Sequence, residues 1–165
     1  MDITIRCITV ADKSSVIDMM RVFYASSAVL SNGSEEIFEN DVENCVNDSP
    51  YLEGYIFEAT VDELEIGCLE TSGNKELPSD KRILGYGMVA KSFSTEFGKP
   101  CMWIEDLYLK EEYRGLGIGS RFLNFVAEKY PDAILRLEVE EDNERAIKTY
   151  KKCGFEELPY MEMKR

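Results

Sequence analysis

Apolar positions recur along this chain with two periods, and the switches between them mark its elements. Residues 3–9 alternate, with Ile3, Ile5 and Cys7 on one face and Arg6 and Ile8 on the other, as a strand requires. Asp12 then stands as a cap before Val16, Met19, Met20 and Phe23, spaced i, i+3, i+4 and i+7 as on one face of a helix. Ser31-Asn32-Gly33 breaks that helix. Ser34 is placed to cap a second one, with Glu35 and Glu36 in its first turn and Phe38, Val42, Cys45 and Val46 as its apolar stripe. Residues 51–61 and 82–94, rich in aromatic and β-branched side chains, read as strands, the latter thinned by Gly85 and Gly87. The acidic stretch between them, broken by Gly73, Asn74 and Pro78, is long for a hairpin loop and leaves room for a further strand pair or extension over 65–70.

Gly98-Lys99-Pro100 turns the chain into an apolar strand over 101–109, and a charged loop leads from it to a helix with Ile118, Phe122, Phe125 and Val126 on one stripe. Pro131 and Asp132 stop that helix. Residues 134–140 alternate again as a strand, Asn143 caps a last helix on which Ala146, Tyr150 and Cys153 share a face, and Gly154 ends it. Residues 155–164 are expected to close the sheet, with Pro159 at a bulge or edge. The order is strand, two helices, three strands, helix, strand, helix, strand. No repeat, low-complexity tract or linker interrupts it, so its 165 residues are expected to form one domain.

The loop into the central helix reads Arg114-Gly115-Leu116-Gly117-Ile118-Gly119-Ser120. Three glycines at alternate positions let backbone N–H groups converge, and the helix start adds unpaired donors and the positive end of a macrodipole. An anion seat for a phosphate follows, one that needs no metal. A P-loop would place Lys-Ser or Lys-Thr after its last glycine, where this chain has Ser120-Arg121. A dinucleotide fingerprint would place glycine where Ser120 stands, although Glu138 lies at the distance of a ribose-binding acid. A tight turn without any ligand is the remaining alternative.

Composition narrows the partners. Nineteen basic against 32 acidic residues give a formal charge of −13, which argues against a nucleic-acid partner and suits a cationic one, or simply keeps the surface solvated. The chain contains no histidine, so proton transfer falls to carboxylates, tyrosine, cysteine, lysine or water. Five cysteines, odd in number and without a C-x-x-C pair, suggest neither a disulfide framework nor a metal site and fit a reducing compartment. No apolar run approaches the roughly twenty residues that span a bilayer. The N-terminus lacks a signal-peptide pattern, and a cytoplasmic location away from membranes is expected.

Arg114 to Gly119 resembles the diphosphate-binding signature of the GNAT acetyltransferase superfamily, and Asn143 to Phe155 resembles its second signature, a helix with Asn at its start and Tyr four residues before Gly-Phe. Glu105-Asp106 running into Tyr113-Arg114-Gly115 is similar to the diamine (spermidine/spermine) acetyltransferases. The resemblance is close over the second half and confined to element order in the first. It implies an α/β (α+β) fold, a mixed and mostly antiparallel sheet of about six or seven strands flanked by about four helices, that often dimerises through sheet edges.

It also implies an N-acetyltransferase with acetyl-CoA as co-substrate, no metal, and a small primary amine as acceptor, with an acyl-CoA sensor or a protein or aminoglycoside acetyltransferase as alternatives. By the same resemblance, amides of Leu107, Tyr108 and Leu109 would face the pantetheine arm and polarise the thioester. Arg114, Gly115, Leu116, Gly117, Ile118, Gly119 and Ser120 would hold the diphosphate, and Asn143 and Ala146 would approach the cofactor. Asn143 as a plain helix cap reads equally well. Tyr150 would be the acid that protonates the thiolate, or a core tyrosine, or both. Glu105 is the candidate base, with a contact to the substrate ammonium or a structural ion pair as its other roles. An alkylamine near pKa 10.4 and a carboxylate near 4.3 differ by about six units, roughly 8 kcal/mol uphill, so a base could act only through desolvation and water. Strand alternation sets Glu105 and Asp106 on opposite faces unless a bulge intervenes. The connecting turn over 25–33 and the acidic face Glu35, Glu36, Glu39 and Glu43 are candidates for the acceptor side.

Overall fold

The alternating segments pair edge to edge, as half-apolar strands must to satisfy their backbones. In the computed structural model, which describes residues 3–60, 81–161 and 163–165, five strands lie in sequence order across one sheet. They are β1 (Ile3–Cys7), β2 (Leu52–Thr60), β3 (Lys81–Ser94), β4 (Lys99–Leu109) and β5 (Ile134–Leu137). Pairing is antiparallel from β1 to β4 and parallel between β4 and β5, because α3 (Ile118–Lys129) carries the chain back along the sheet between them. The other helices are α1 (Lys13–Tyr24), α2 (Glu35–Val46) and α4 (Glu144–Lys152).

Each face of the sheet has its own core. One buries Val16, Met20, Phe38 and Val42 of α1 and α2 against Ile56, Tyr86, Met88 and Tyr108. The other buries Ile118, Phe122, Leu123 and Val126 of α3 against Phe57, Leu84, Val89 and Ile104, with Tyr150 of α4 and Cys153 at its C-cap packed on it. The stripes expected from helical spacing are the ones that insert. Gly87 has a specific reason to lack a side chain, because a Cβ there would lie 2.6 Å from the Phe122 ring.

Four expectations are corrected. The described residues form five strands rather than six or seven. Residues 155–161 and 163–165 add no strand: Phe155 turns onto the α3 core, Pro159 lacks a donor, and Tyr160 is held by its hydroxyl to Glu96. The strand expected over 134–140 stops at Leu137, where its partner β4 leaves the pairing. The possible extension over 65–70 lies outside the described residues. Of the caps, Ser34 accepts from the Ile37 amide and Asn143 from the Ala146 amide. Asp12 does not cap α1 through its side chain; it binds the Arg6 guanidinium at 2.7 and 2.8 Å and the Thr9 amide and hydroxyl instead.

Candidate active site

The site grows from one irregularity in β4. Met88 pairs with Asp106 and Val89 with Ile104, so Glu105 is an extra residue that β3 does not match. Ile104 faces the α3 core, but Asp106 and Tyr108 face α1 and α2, and Leu107 and Leu109 return to the α3 side. The bulge therefore overrides alternation. Glu105 and Asp106 line the same cavity, of about 320 Å3, closed by Tyr24 of α1, Asp41 and Asn44 of α2, and Tyr51 and Met88.

That cavity is anionic. Among the described residues, three carboxylates line it and no lysine or arginine does. Asp106 is 3 % exposed and accepts hydrogen bonds from the hydroxyls of Tyr86 (2.8 Å) and Tyr24 (3.2 Å). Burial drives its pKa up from 3.8 to about 6 against those two donors, and the charges of Asp41 and Glu105 push the same way. Burial also raises Asp41. The two tyrosines, buried beside the carboxylate, are raised in turn, which keeps them protonated and donating. Of the acidic face of α2, Glu35 pairs with Arg21 and Glu43 with Lys13, tying α2 to α1 at the surface.

Past the bulge the sheet opens. β5 pairs with β4 only from Cys101 to Ile104, so among the described residues no strand lies beside 105–109 on that edge. The Lys110 amide donates to the Leu84 carbonyl at 3.0 Å. Antiparallel periodicity puts the Tyr108 amide in the same β3-facing set and turns those of Leu107 and Leu109 towards the opening. The amides of Leu107 and Leu109 are thereby left without a strand partner among the described residues, while that of Tyr108 lies in the ladder with β3. The Leu109 carbonyl accepts from Arg114 Nε at 3.0 Å.

The turn between β4 and α3 has the conformation the glycines allow. Gly115 and Gly117 have φ of +88° and +78°, and Gly117 is the N-cap of α3. Apart from its chain neighbours, no described residue has an atom within 4 Å of a Cβ built on Gly117, so the turn is open there. Arg121 is turned away from this seat, its Nη2 donating to the Ile3 carbonyl. Ile118 is fully buried in the core, Leu116 is half exposed, and Gly119 and Ser120 lie in the first turn of α3.

Packed through Tyr150 on the same core as Leu107 and Leu109, α4 carries Asn143 at its N-cap, Ala146 in its first turn and Tyr150 near its end. Tyr150 is largely buried, which raises its phenol, and its hydroxyl has no protein hydrogen-bond partner among the described residues. The helix stops in a Schellman turn. The Phe155 amide donates to the Tyr150 carbonyl at 3.0 Å and the Gly154 amide to the Lys151 carbonyl at 3.1 Å, with Gly154 at φ +88°.

Sequence reasoning missed Asp41, Tyr24, Tyr86 and the true orientation of Asp106. Asp41 did leave a signal: with Phe38, Val42 and Cys45 it completes an i, i+3, i+4, i+7 set, a carboxylate in an apolar slot.

A family model described as "Acetyltransferase (GNAT) family" matches residues 36–155. Thialysine N-epsilon-acetyltransferase from Bos taurus is 42% identical over 84 residues, 49% of each chain. The chain thus spans about half the length of the curated relatives it matches first. Among solved structures, a possible acetyltransferase from Clostridium difficile 630 superimposes with TM-score 0.72 at 17% identity, covering 99% of this chain and 96% of that one. AAC(6')-Iy in complex with the bisubstrate analog CoA-S-monomethyl-acetylneamine gives 0.70 at 12% identity, with 100% and 98% covered. At these identities the superpositions establish the fold alone.

Proposed function

This chain belongs to the acetyltransferase (GNAT) family, and from that premise we propose that it moves an acetyl group from acetyl-CoA to the primary amine of a small cationic molecule. One observation carries the reading. The bulge at Glu105 opens the edge of β4 for the thioester and, in the same step, turns Glu105 and Asp106 into a cavity to which the described residues bring no cation.

The roles follow from position. The Gly115–Gly119 turn receives the diphosphate through N–H groups at the start of α3. The Leu107 and Leu109 amides run beside the pantetheine arm, where a donor aimed at the developing oxyanion contributes about 3 kcal/mol. The carboxylates Glu105, Asp106 and Asp41 draw in the ammonium form of the acceptor. The amine releases a proton through water towards Glu105, and its nitrogen attacks the thioester carbon. As the carbon–sulfur bond breaks, the Tyr150 hydroxyl gives its proton to the thiolate. A phenol raised by burial is fully protonated at neutral pH and available for that step.

The relative's acceptor, thialysine, pairs a side-chain amine with an amino-acid carboxylate. Three acids around the cavity favour acceptors without a carboxylate, such as diamines, over amino acids. The described cysteines are free thiols, which supports a reducing, cytoplasmic setting. The test is thiol release from acetyl-CoA across diamines, polyamines, amino acids, aminoglycosides and peptides. Release with a diamine at the highest kcat/KM is expected. Binding of acetyl-CoA without release on any amine removes the transferase reading and leaves a sensor.

A further inference from the structure

Arg145 lies in the first turn of α4, yet its side chain reaches the turn before α3. Its Nη2 sits 3.2 Å from the position a Cβ on Gly115 would occupy. Among the described residues its guanidinium makes no hydrogen bond or ion pair, the backbone carbonyl alone accepting from Thr149 Oγ1 at 3.0 Å. That isolation is unusual in a chain with 32 acidic residues. Arg6, Arg21 and Arg136 each face a carboxylate. The other two arginines around the glycine turn are committed to carbonyls, Arg114 to Leu109 and Arg121 to Ile3. Among the described residues, the guanidinium resting against Gly115 is thus the one near this turn whose donors are all unspent, and Gly115 is two residues from Gly117, whose Cβ position meets nothing within 4 Å.

We propose that Arg145 binds the diphosphate of the acyl-CoA donor from α4, opposite the amides of α3. A planar guanidinium with five donors suits two phosphate oxygens, and it adds positive charge to that of Arg114 beside the turn in a chain of net −13. The contact has a consequence for the reaction, because Arg145 and Tyr150 share one nine-residue helix. The diphosphate joins the start of α3 to the start of α4, and so fixes the helix that carries the acid. This rests on the function proposed above and adds a binding residue to it.

The experiment is calorimetric titration of wild type, Arg145→Gln and Arg145→Lys with acetyl-CoA and with its 3′-dephospho form, together with turnover on acetyl-pantetheine, which lacks the diphosphate. Expected for Arg145→Gln is a loss of roughly tenfold or more in affinity, equal for both nucleotides, with partial recovery in Arg145→Lys. Its kcat/KM with acetyl-pantetheine should match wild type. Unchanged affinity in Arg145→Gln overturns the assignment, as does a loss confined to the ligand that keeps the 3′-phosphate. A parallel loss with acetyl-pantetheine overturns it too, since the residue would then be structural. Wild type that binds acetyl-CoA through Arg145 but acetylates no amine sinks the transferase reading and leaves this contact standing.

Discussion

The Tyr86 hydroxyl donates a 2.8 Å hydrogen bond to Asp106 across the β3–β4 pairing, and both side chains are buried. The bond holds a carboxylate in a place that penalises its charge. Asp106 sits near pKa 6 because burial and the fields of Asp41 and Glu105 outweigh the two tyrosine donors. A carboxyl raised this far changes ionisation close to the pH at which the cavity must attract an ammonium ion.

That shift has a stability consequence with a definite sign. The folded pKa lies above the unfolded one, so the folded state holds its proton more tightly, and the destabilisation from Asp106 develops as pH rises from about 4 to about 6. Two units correspond to roughly 3 kcal/mol. Asp106→Asn removes the term, and its melting temperature relative to wild type should climb by several degrees between pH 4 and pH 7. Parallel melting curves across that range would mean that Asp106 titrates normally.

Acceptor binding should follow the same titration in the opposite direction. Below pH 6 Asp106 is neutral and the cavity loses one of its three charges, so KM for a cationic amine should rise as pH falls through 6. The carboxamide of Asp106→Asn should show the high KM at every pH and a flatter profile. A wild-type KM that is constant from pH 5 to 8 removes Asp106 from acceptor recognition.

These consequences trace to a feature the amino-acid pattern could not display. Helical stripes, the Ser34 and Asn143 caps, the Gly154 stop and the glycine turn each follow from side-chain chemistry within a few residues, and all are where the pattern puts them. A bulge inserts one residue without a residue type that marks it, so alternation alone could name the condition but not the face of Asp106. The early stop of β5 is a consequence of the same bulge, since a parallel partner cannot follow a strand that turns away. Tyr24, Asp41 and Asp106 meet only once α1 and α2 are laid over β4, a relation that spans 82 residues between Tyr24 and Asp106.

Gly117→Val should abolish acetyl-CoA binding while leaving the fold intact. The φ of +78° is costly for a β-branched residue, and its side chain would project into the open space where the diphosphate is received. Gly117 is outside both cores, so the variant should melt within a few degrees of wild type. Calorimetry showing retained micromolar binding would put the phosphates elsewhere.

Tyr150 offers a sharper separation, because its hydroxyl and its ring answer to different neighbours. The hydroxyl bonds to no described residue, so Tyr150→Phe should leave stability and acetyl-CoA affinity nearly unchanged and lower kcat tenfold or more, the loss expected when a general acid is removed. The ring packs against Phe155 with centroids 6.1 Å apart, the apolar contact that accompanies the Schellman turn between its third-last helical residue and the second beyond the cap. Phe155→Ala keeps the backbone hydrogen bonds, since the donor is the Phe155 amide, but removes that buttress. It should cost about 1–3 kcal/mol and lower kcat with little change in KM for acetyl-CoA, whereas Phe155→Leu should recover most of both. If Phe155→Ala retains full kcat at a temperature where it is folded, the turn that ends α4 has no part in aiming the acid, and Tyr150 is held by the α3 core alone.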